Sequence, residues 1–397
     1  MEIKLAIVIV TYNRLSSFKR LLSSLEKGDY NKSTIDLIIS IDKSDSDEIG
    51  LYADQYHWFF GDKKVVKHPE NLGLRKHILS IGNYLKTYNA LIVLEDDITV
   101  APNFYRYAKA CIEYYYNENR IAGISLYNFP LNYHNRQPFF PVKSEFDVYF
   151  MNCAQSWGQV WMRNQWQEFQ EWYKTHQEDF SNRDDLPYSI SHWPKSSWLK
   201  YHTRYCIEQN KFFVYPYYSL STNNGDAGIH VGKKSVLFQS YLMGTPQHEY
   251  LLPSFDDLDV VKYDGFFEPK FLSKFLDLSE DDLCVDIFGL KTKCLYKKYV
   301  LSTKMLQYKI VKSYDLSLRP IEMNIMWDIP GKGVFLFDTS IPSKNKLIDN
   351  KFFLYRSLYR YSLENAFRMI GIKMIIKRYL QLKYMRFKKW FKGSIFK

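Results

Sequence analysis

The sequence predicts an α/β protein built on a doubly wound, mainly parallel sheet. Strand and helix signals alternate through the first 130 residues, which is the pattern of βαβ units. The strand-like runs end in polar residues that would line one edge of such a sheet, where ligands of open α/β sheets bind. The third observation is the run Ala90-Leu91-Ile92-Val93-Leu94 followed by Glu95-Asp96-Asp97. A short, fully apolar run reads as a strand buried on both faces, here delivering three acids to its C-terminal end.

The elements follow in order. Residues 3–10 form an apolar strand that runs into Thr11-Tyr12-Asn13-Arg14. Phe18, Leu21, Leu22 and Leu25 recur at helical spacing across residues 16–27. Residues 35–41 give a second strand ending at Asp42, and residues 64–67 a short third one. Leu74, Ile78, Ile81 and Leu85 mark a helix before the fourth strand at 90–94. Pro102-Asn103 opens a helix to about Tyr116, and residues 121–126 form a further strand. Thr11, Arg14, Asp42 and Glu95–Asp97 would then share one sheet edge. Adjacent carboxylates repel unless a positive charge or solvent relieves them. A divalent cation such as Mg²⁺ or Mn²⁺, shared with substrate phosphates, relieves them economically. An acidic turn after a strand is the plain alternative. No GxGxxG follows the first strand and no GxxxxGK[ST] occurs, which removes the usual dinucleotide and P-loop phosphate cradles.

The 397 residues suffice for a large core and more than one domain. Cys111, Cys153, Cys206, Cys284 and Cys294 are scattered, without zinc-ligand spacing, as expected of reduced thiols in a cytoplasmic protein. The opening residues read as a strand rather than a secretion signal, and no apolar run reaches membrane-spanning length. A net charge of +11 calls for an anionic partner: nucleotide, acidic lipid or nucleic acid. No recognised nucleic-acid motif accompanies it.

Further along, Trp157, Trp161, Trp166 and Trp172 read as one helical stretch, with plain core packing the simplest role for each. Asp184-Asp185 lies in a polar loop. Residues 197–209 suggest a helix and 212–215 a strand. The polar loop 219–230 contains Asn223-Asn224-Gly225-Asp226 and His230, with glycines that permit close approach to a ligand. The expected division is a first domain over 1–255, an accessory α+β region over 256–350, and a basic helical tail over 351–397. From Arg368 to Lys397 there are ten Lys or Arg and no acid. Such a tail can lie on an anionic bilayer or pack on the body with a solvated basic face.

The opening Val8-Ile9-Val10-Thr11-Tyr12-Asn13-Arg14 resembles that of family 2 glycosyltransferases with the GT-A fold. The stretch from Val93 through Glu95-Asp96-Asp97 to Ala101-Pro102-Asn103-Phe104 is similar to the metal motif of the N-acetylglucosaminyltransferase I family. The loop from Asn223 to His230 resembles one in bacterial enzymes of surface-polysaccharide synthesis. Together these segments cover about residues 3–232. The resemblance implies a GT-A-like sheet and a nucleotide-sugar donor, with UDP as the nucleotide. It implies that Thr11 and Arg14 border the nucleotide and that Asp42 contacts the base. Asp97 becomes the metal ligand, Glu95 and Asp96 support the ribose or the metal shell, and His230 approaches the metal or diphosphate. Arg75 and Lys76 are placed near the donor. Relatives carry a catalytic acid after the Trp-rich helix. Here Asp185 or Asp184 is the nearest candidate, at a longer spacing, and Ser197-Trp198-Leu199-Lys200 lacks an acid.

The expected activity is metal-dependent sugar transfer to a glycan or lipid-linked acceptor, inverting if the base is real. The expected location is cytoplasmic, or peripheral on the cytoplasmic membrane face. A non-catalytic nucleotide-, glycan- or nucleic-acid-binding protein is the alternative.

Overall fold

Strand β1 (Leu5–Thr11) leads through helix α1 (Leu15–Leu25) to β2 (Asp36–Ile41), and α2 (Glu48–Gln55) leads on to β3 (Lys63–Lys67). Helix α3 (Gly73–Ile81) and a 3₁₀ turn at Gly82–Lys86 return the chain to β4 (Ala90–Glu95). The computed structural model describes residues 3–226, 235–245, 249–293 and 295–346, with eight positions between 373 and 384. Next come β5 (Ile98–Val100), α4 (Phe104–Tyr115), β6 (Ile121–Ser125), and a small hairpin of β7 (Leu131–Asn132) and β8 (Gln137–Pro138). Strands β9 (Val148–Met151) and β10 (Gln159–Met162) precede α5 (Arg163–Thr175), α6 (Tyr188–His192) and α7 (Leu199–Glu208). Strands β11 (Phe212–Pro216), β12 (Ser221–Asn223) and β13 (Lys262–Tyr263) follow.

The main sheet has nine strands in the order β13-β9-β11-β6-β10-β4-β1-β2-β3. Five of its eight pairings are parallel; β10 against β4 and β6, and β11 against β9, are antiparallel. The α/β, mainly parallel sheet expected from the sequence is therefore the fold. Its core is the apolar runs of β1, β2 and β4, buried along nearly their whole length. Truncating one such side chain to Ala is worth about 2–5 kcal/mol. These strands place their C-terminal ends side by side, with Val10 opposite Glu95 and Thr11 opposite Ile41.

One expectation changes. The Trp-rich stretch is not one helix: Gly158 has φ +92°, Trp161 lies in β10, and the helix begins only at Arg163. All four β10 residues are buried between β4 and β6, so pairing on both sides outweighs helical spacing. Residues 1–346 form one compact unit. Lys262–Tyr263 joins the edge of the main sheet, and the Tyr263 hydroxyl reaches Glu322 of α9 (after α8 at Leu272–Leu276; α9 is Glu322–Met326). The later part adds a four-stranded sheet ordered β14 (Leu283–Asp286), β15 (Tyr299–Ser302), β17 (Val334–Pro342), β16 (Tyr308–Tyr314). The second unit spans Leu347–Lys397, so nearly all of the predicted basic tail lies outside the described residues. Among the described residues no helix is long and apolar enough to cross a membrane.

Tight aromatic packing holds α5 and α7 together. Trp166 sits so close to Gly82 that a Cβ there would fall 1.9 Å from the indole nitrogen. Trp161 and Trp166 stack at 3.8 Å. His202 of α7 lies against Phe169 at 4.2 Å and beside Phe213 at 5.2 Å. It is fully buried, with neither ring nitrogen hydrogen-bonded. Burial pushes its pKa down to about 3. Below about pH 6.5 the unfolded chain therefore takes up a proton that the folded chain refuses, down to about pH 3. This lowers stability by about 1.4 kcal/mol per pH unit across that window. His202→Phe is expected to raise the urea midpoint at pH 7 and to remove this component of the acid sensitivity. Parallel unfolding curves for both proteins at pH 7 and pH 5 measure both effects.

Candidate active site

The polar ends of β1, β2 and β4 meet. The backbone N–H of Asp42 donates to the Thr11 carbonyl at 3.0 Å. The Thr11 hydroxyl donates to Asp96 Oδ2 at 2.8 Å. Arg14 forks across the acids: Nη1 donates to Asp97 Oδ2 at 2.9 Å and Nη2 donates to Asp96 Oδ1. Asp96 is buried. Burial pushes its pKa up, while Arg14 and Thr11 pull it down. Burial raises Glu95 as well, reinforced by Asp97 and Asp96, with Arg14 and the Ser156 hydroxyl acting against the rise. The remaining oxygen of Asp97, Oδ1, is buried and has no hydrogen-bond partner. One guanidinium thus offsets part of the charge of three carboxyl groups, and one carboxylate oxygen is left over.

Asp42 is buried at the same edge. Its Oδ1 accepts from the backbone N–H of Lys43 (3.0 Å) and Leu72 (2.8 Å), and Oδ2 accepts from Gly73 (3.0 Å). Gly73 has φ +70°, a conformation glycine adopts without a Cβ penalty. Beneath Asp42 the Ser40 hydroxyl lies 2.7 Å from His77 Nε2 and 3.2 Å from His68 Nε2. Burial pushes His77 down to about 4, with Asp42 opposing and His68 adding to the drop. This Ser–His–His group was not singled out from the sequence, because partners 28 and 37 residues apart share no local pattern. Arg75 turns elsewhere: Nη1 donates to the Lys195 carbonyl at 3.0 Å and to the Tyr201 hydroxyl at 3.4 Å. Lys76 is exposed on α3.

The loop after β11 closes onto the acids. Strand β12 pairs antiparallel with β5, immediately beyond the triplet. The backbone N–H and the Nδ2 of Asn224 both donate to the Asp97 carbonyl, at 2.9 and 3.0 Å. Nδ2 also donates to Thr99 Oγ1 at 2.9 Å. Asp226 accepts from Ser17 Oγ at 2.8 Å and from Arg20 Nη2, both on α1. His230 lies outside the described residues. Asn224 belongs to the polar loop expected to approach a ligand, whereas Ser156 is a site residue that local sequence patterns did not identify.

The structure does not bring Asp184 and Asp185 to this edge. Both are exposed. Arg183 donates to both oxygens of Asp185 and holds its pKa below the usual carboxylate value. Asp184 pairs with Lys293 at 2.6 Å. Arg183 also pairs with Glu208, the last residue of α7, which feeds the N-terminal end of β11. Strand β11 runs in the direction of β4, so Glu208 stands at the edge opposite the triplet.

Among the described residues no three His, Cys, Asp or Glu side chains form a metal-holding group. The free Asp97 Oδ1 nevertheless suits a divalent ion that takes its other oxygens from a substrate's phosphates. Asp42→Ala is expected to lose about 2–3 kcal/mol of stability, because it strands three backbone N–H groups. Chemical denaturation against the parent protein measures that loss.

Residues 6–153, from β1 to just past β9, match the family model Glycosyl transferase family 2. No curated protein matches the chain. Among solved structures, it is similar to GalNAc-T7 crystallised with UDP, GalNAc and Mn²⁺: 16% identity, TM-score 0.40, over 54% of this chain and 42% of that one. It is also similar to the mannosyltransferase PcManGT from Pyrobaculum calidifontis in complex with GDP-Man and Mn²⁺: 11% identity, TM-score 0.36, over 54% and 55%. A third likeness is to S. aureus TarS 1-349: 13% identity, TM-score 0.33, over 54% and 60%. The chain thus spans about half the length of these structures. The stretch matching the family model contains Thr11, Arg14, Asp42 and the whole acidic triplet.

Proposed function

We propose that the protein transfers a sugar from a nucleotide-diphosphate sugar, with UDP as the nucleotide, to a hydroxyl of a glycan or lipid-linked acceptor in surface-polysaccharide synthesis. The observation that carries this reading is the unpartnered Asp97 Oδ1 at the C-terminal end of β4, within the segment matching the glycosyltransferase family model. The likeness of residues 93–104 to the N-acetylglucosaminyltransferase I motif supports it. Asp97, with His230 from the far loop, would hold Mn²⁺ or Mg²⁺. Such an ion, when bound, stabilises negative charge on a leaving diphosphate.

The chain's own residues have distinct tasks in this scheme. Arg14 and Thr11 fix the direction of the Asp96 and Asp97 carboxylates, so that ligand binding needs little reorganisation. Asp42 would meet the base: Oδ2 accepts a single bond, from Gly73, and a carboxylate oxygen can accept another. Arg75 and Lys76 would contribute positive potential from the start of α3. Inversion needs a group that takes the acceptor proton as the new bond forms. A carboxylate held low by Arg183 is a poor proton acceptor, so Asp185 is not assigned that step, and Asp184 is engaged by Lys293.

Thermal shifts with UDP-sugars, GDP-mannose and the free nucleotides, each with and without Mn²⁺, test the reading. A metal-dependent shift larger for one nucleotide sugar than for its nucleotide is expected. No shift with any of them would overturn it. Asp97→Asn is expected to reduce transfer at least 100-fold and to abolish metal-dependent nucleotide binding. Asp185→Asn is expected to change turnover less than about twofold, its loss being confined to an exposed ion pair. Turnover measured for both variants separates the two roles.

A further inference from the structure

We propose that the loop 235–243, with Tyr218 beside it, is a docking surface for an anionic lipid bilayer. This inference does not depend on the sugar-transfer reading. Four large apolar residues face solvent within seven positions: Val236, Leu237, Tyr241 and Leu242, with Val236 64% and Tyr241 87% exposed. Ser219 bridges in parallel to Leu242, and Met243 N–H donates to the Ser219 carbonyl at 2.8 Å. That pairing sets Tyr218, 63% exposed, alongside Tyr241. Exposed apolar residues concentrated in this way on a soluble body mark an interaction site.

The chemistry favours a bilayer over a protein groove. Two tyrosines accompany the aliphatic residues, and their rings with polar tips suit the headgroup boundary. No acid occurs between Asp226 and Glu249, and Lys233-Lys234 directly precede the loop. Each basic residue near an anionic surface adds about 1 kcal/mol. The residues after Lys346 hold 13 Lys or Arg against two acids, the entire +11 excess of the chain. Attraction of that charge to an anionic surface would keep an otherwise neutral body close to the bilayer.

The loop is also fixed in place, as a docking surface must be. Phe238 packs on Trp157 with ring centroids 5.3 Å apart, and its carbonyl accepts from the Tyr127 hydroxyl at 2.7 Å. The Ser240 N–H donates to Thr222 Oγ1 at 2.8 Å, and Gln239 Nε2 donates to the Asn224 carbonyl at 3.2 Å. Anchoring contacts thus alternate with exposed apolar residues, and Asn224 in turn holds Asp97.

Hydrogen exchange of the full chain tests this, with and without vesicles of mixed phosphatidylcholine and phosphatidylglycerol. Backbone amides of 235–243 are expected to gain protection with the mixed vesicles and to gain less with phosphatidylcholine alone. The double variant Leu237→Ser, Tyr241→Ser changes only exposed side chains, so it should fold. It is expected to float with the vesicles about tenfold less well, with the difference persisting at high salt where tail attraction is screened. Flotation without protection of the loop would overturn the proposal and leave binding to the tail. Protection that appears without vesicles as protein concentration rises would overturn it in favour of self-association.

Discussion

Three successive carboxyl groups at the end of one buried strand cannot all be ionised in an apolar setting without a counter-charge. In this protein that constraint falls on Glu95, Asp96 and Asp97, and the fold meets it with Arg14. The guanidinium can reach because β1 and β4 are parallel neighbours in register, so the residues just past β1 stand beside those just past β4. The order of the central strands, their burial and the polarity of their ends form one solution to one electrostatic problem. A planar, always-charged fork suits two carboxylates better than a lysine would.

Around that pair the molecule builds outward in layers. Thr11 supplies a neutral donor to Asp96, and Asn224 fixes the main chain at Asp97. Asp226 ties the same loop to α1 through Ser17 and Arg20. On the β2 side, Asp42 gathers backbone donors from the start of α3, so the helix entry is set by a carboxylate rather than by an ordinary N-cap. Each tie joins segments far apart in sequence.

Sequence made the parallel sheet legible because β1, β2 and β4 are apolar without alternation, and the helices between them keep a regular apolar spacing. It made Thr11, Arg14, Asp42 and the triplet legible as neighbours, because strand ends in such a sheet must share an edge. It failed at Trp157–Met162, where aromatic spacing imitated a helix and pairing on both sides of β10 prevailed. It failed to separate Asp184-Asp185 from the site, because charge in a loop says nothing about which end of a sheet the loop reaches. Ser40, His68 and His77 escaped notice for a related reason: their meeting depends on the packing of α3 against β2.

The Asn224 bonds to the Asp97 carbonyl span 127 residues. Contacts of that separation close late, since the loop entropy must be met before the contact returns anything. A nascent chain that has emerged only through β11 could assemble β1, β2 and β4 and pair Arg14 with its acids. It would still lack the clamp on the main chain of Asp97. Mature geometry at the acidic edge is therefore a property of the completed topology, acquired after the sheet that carries it.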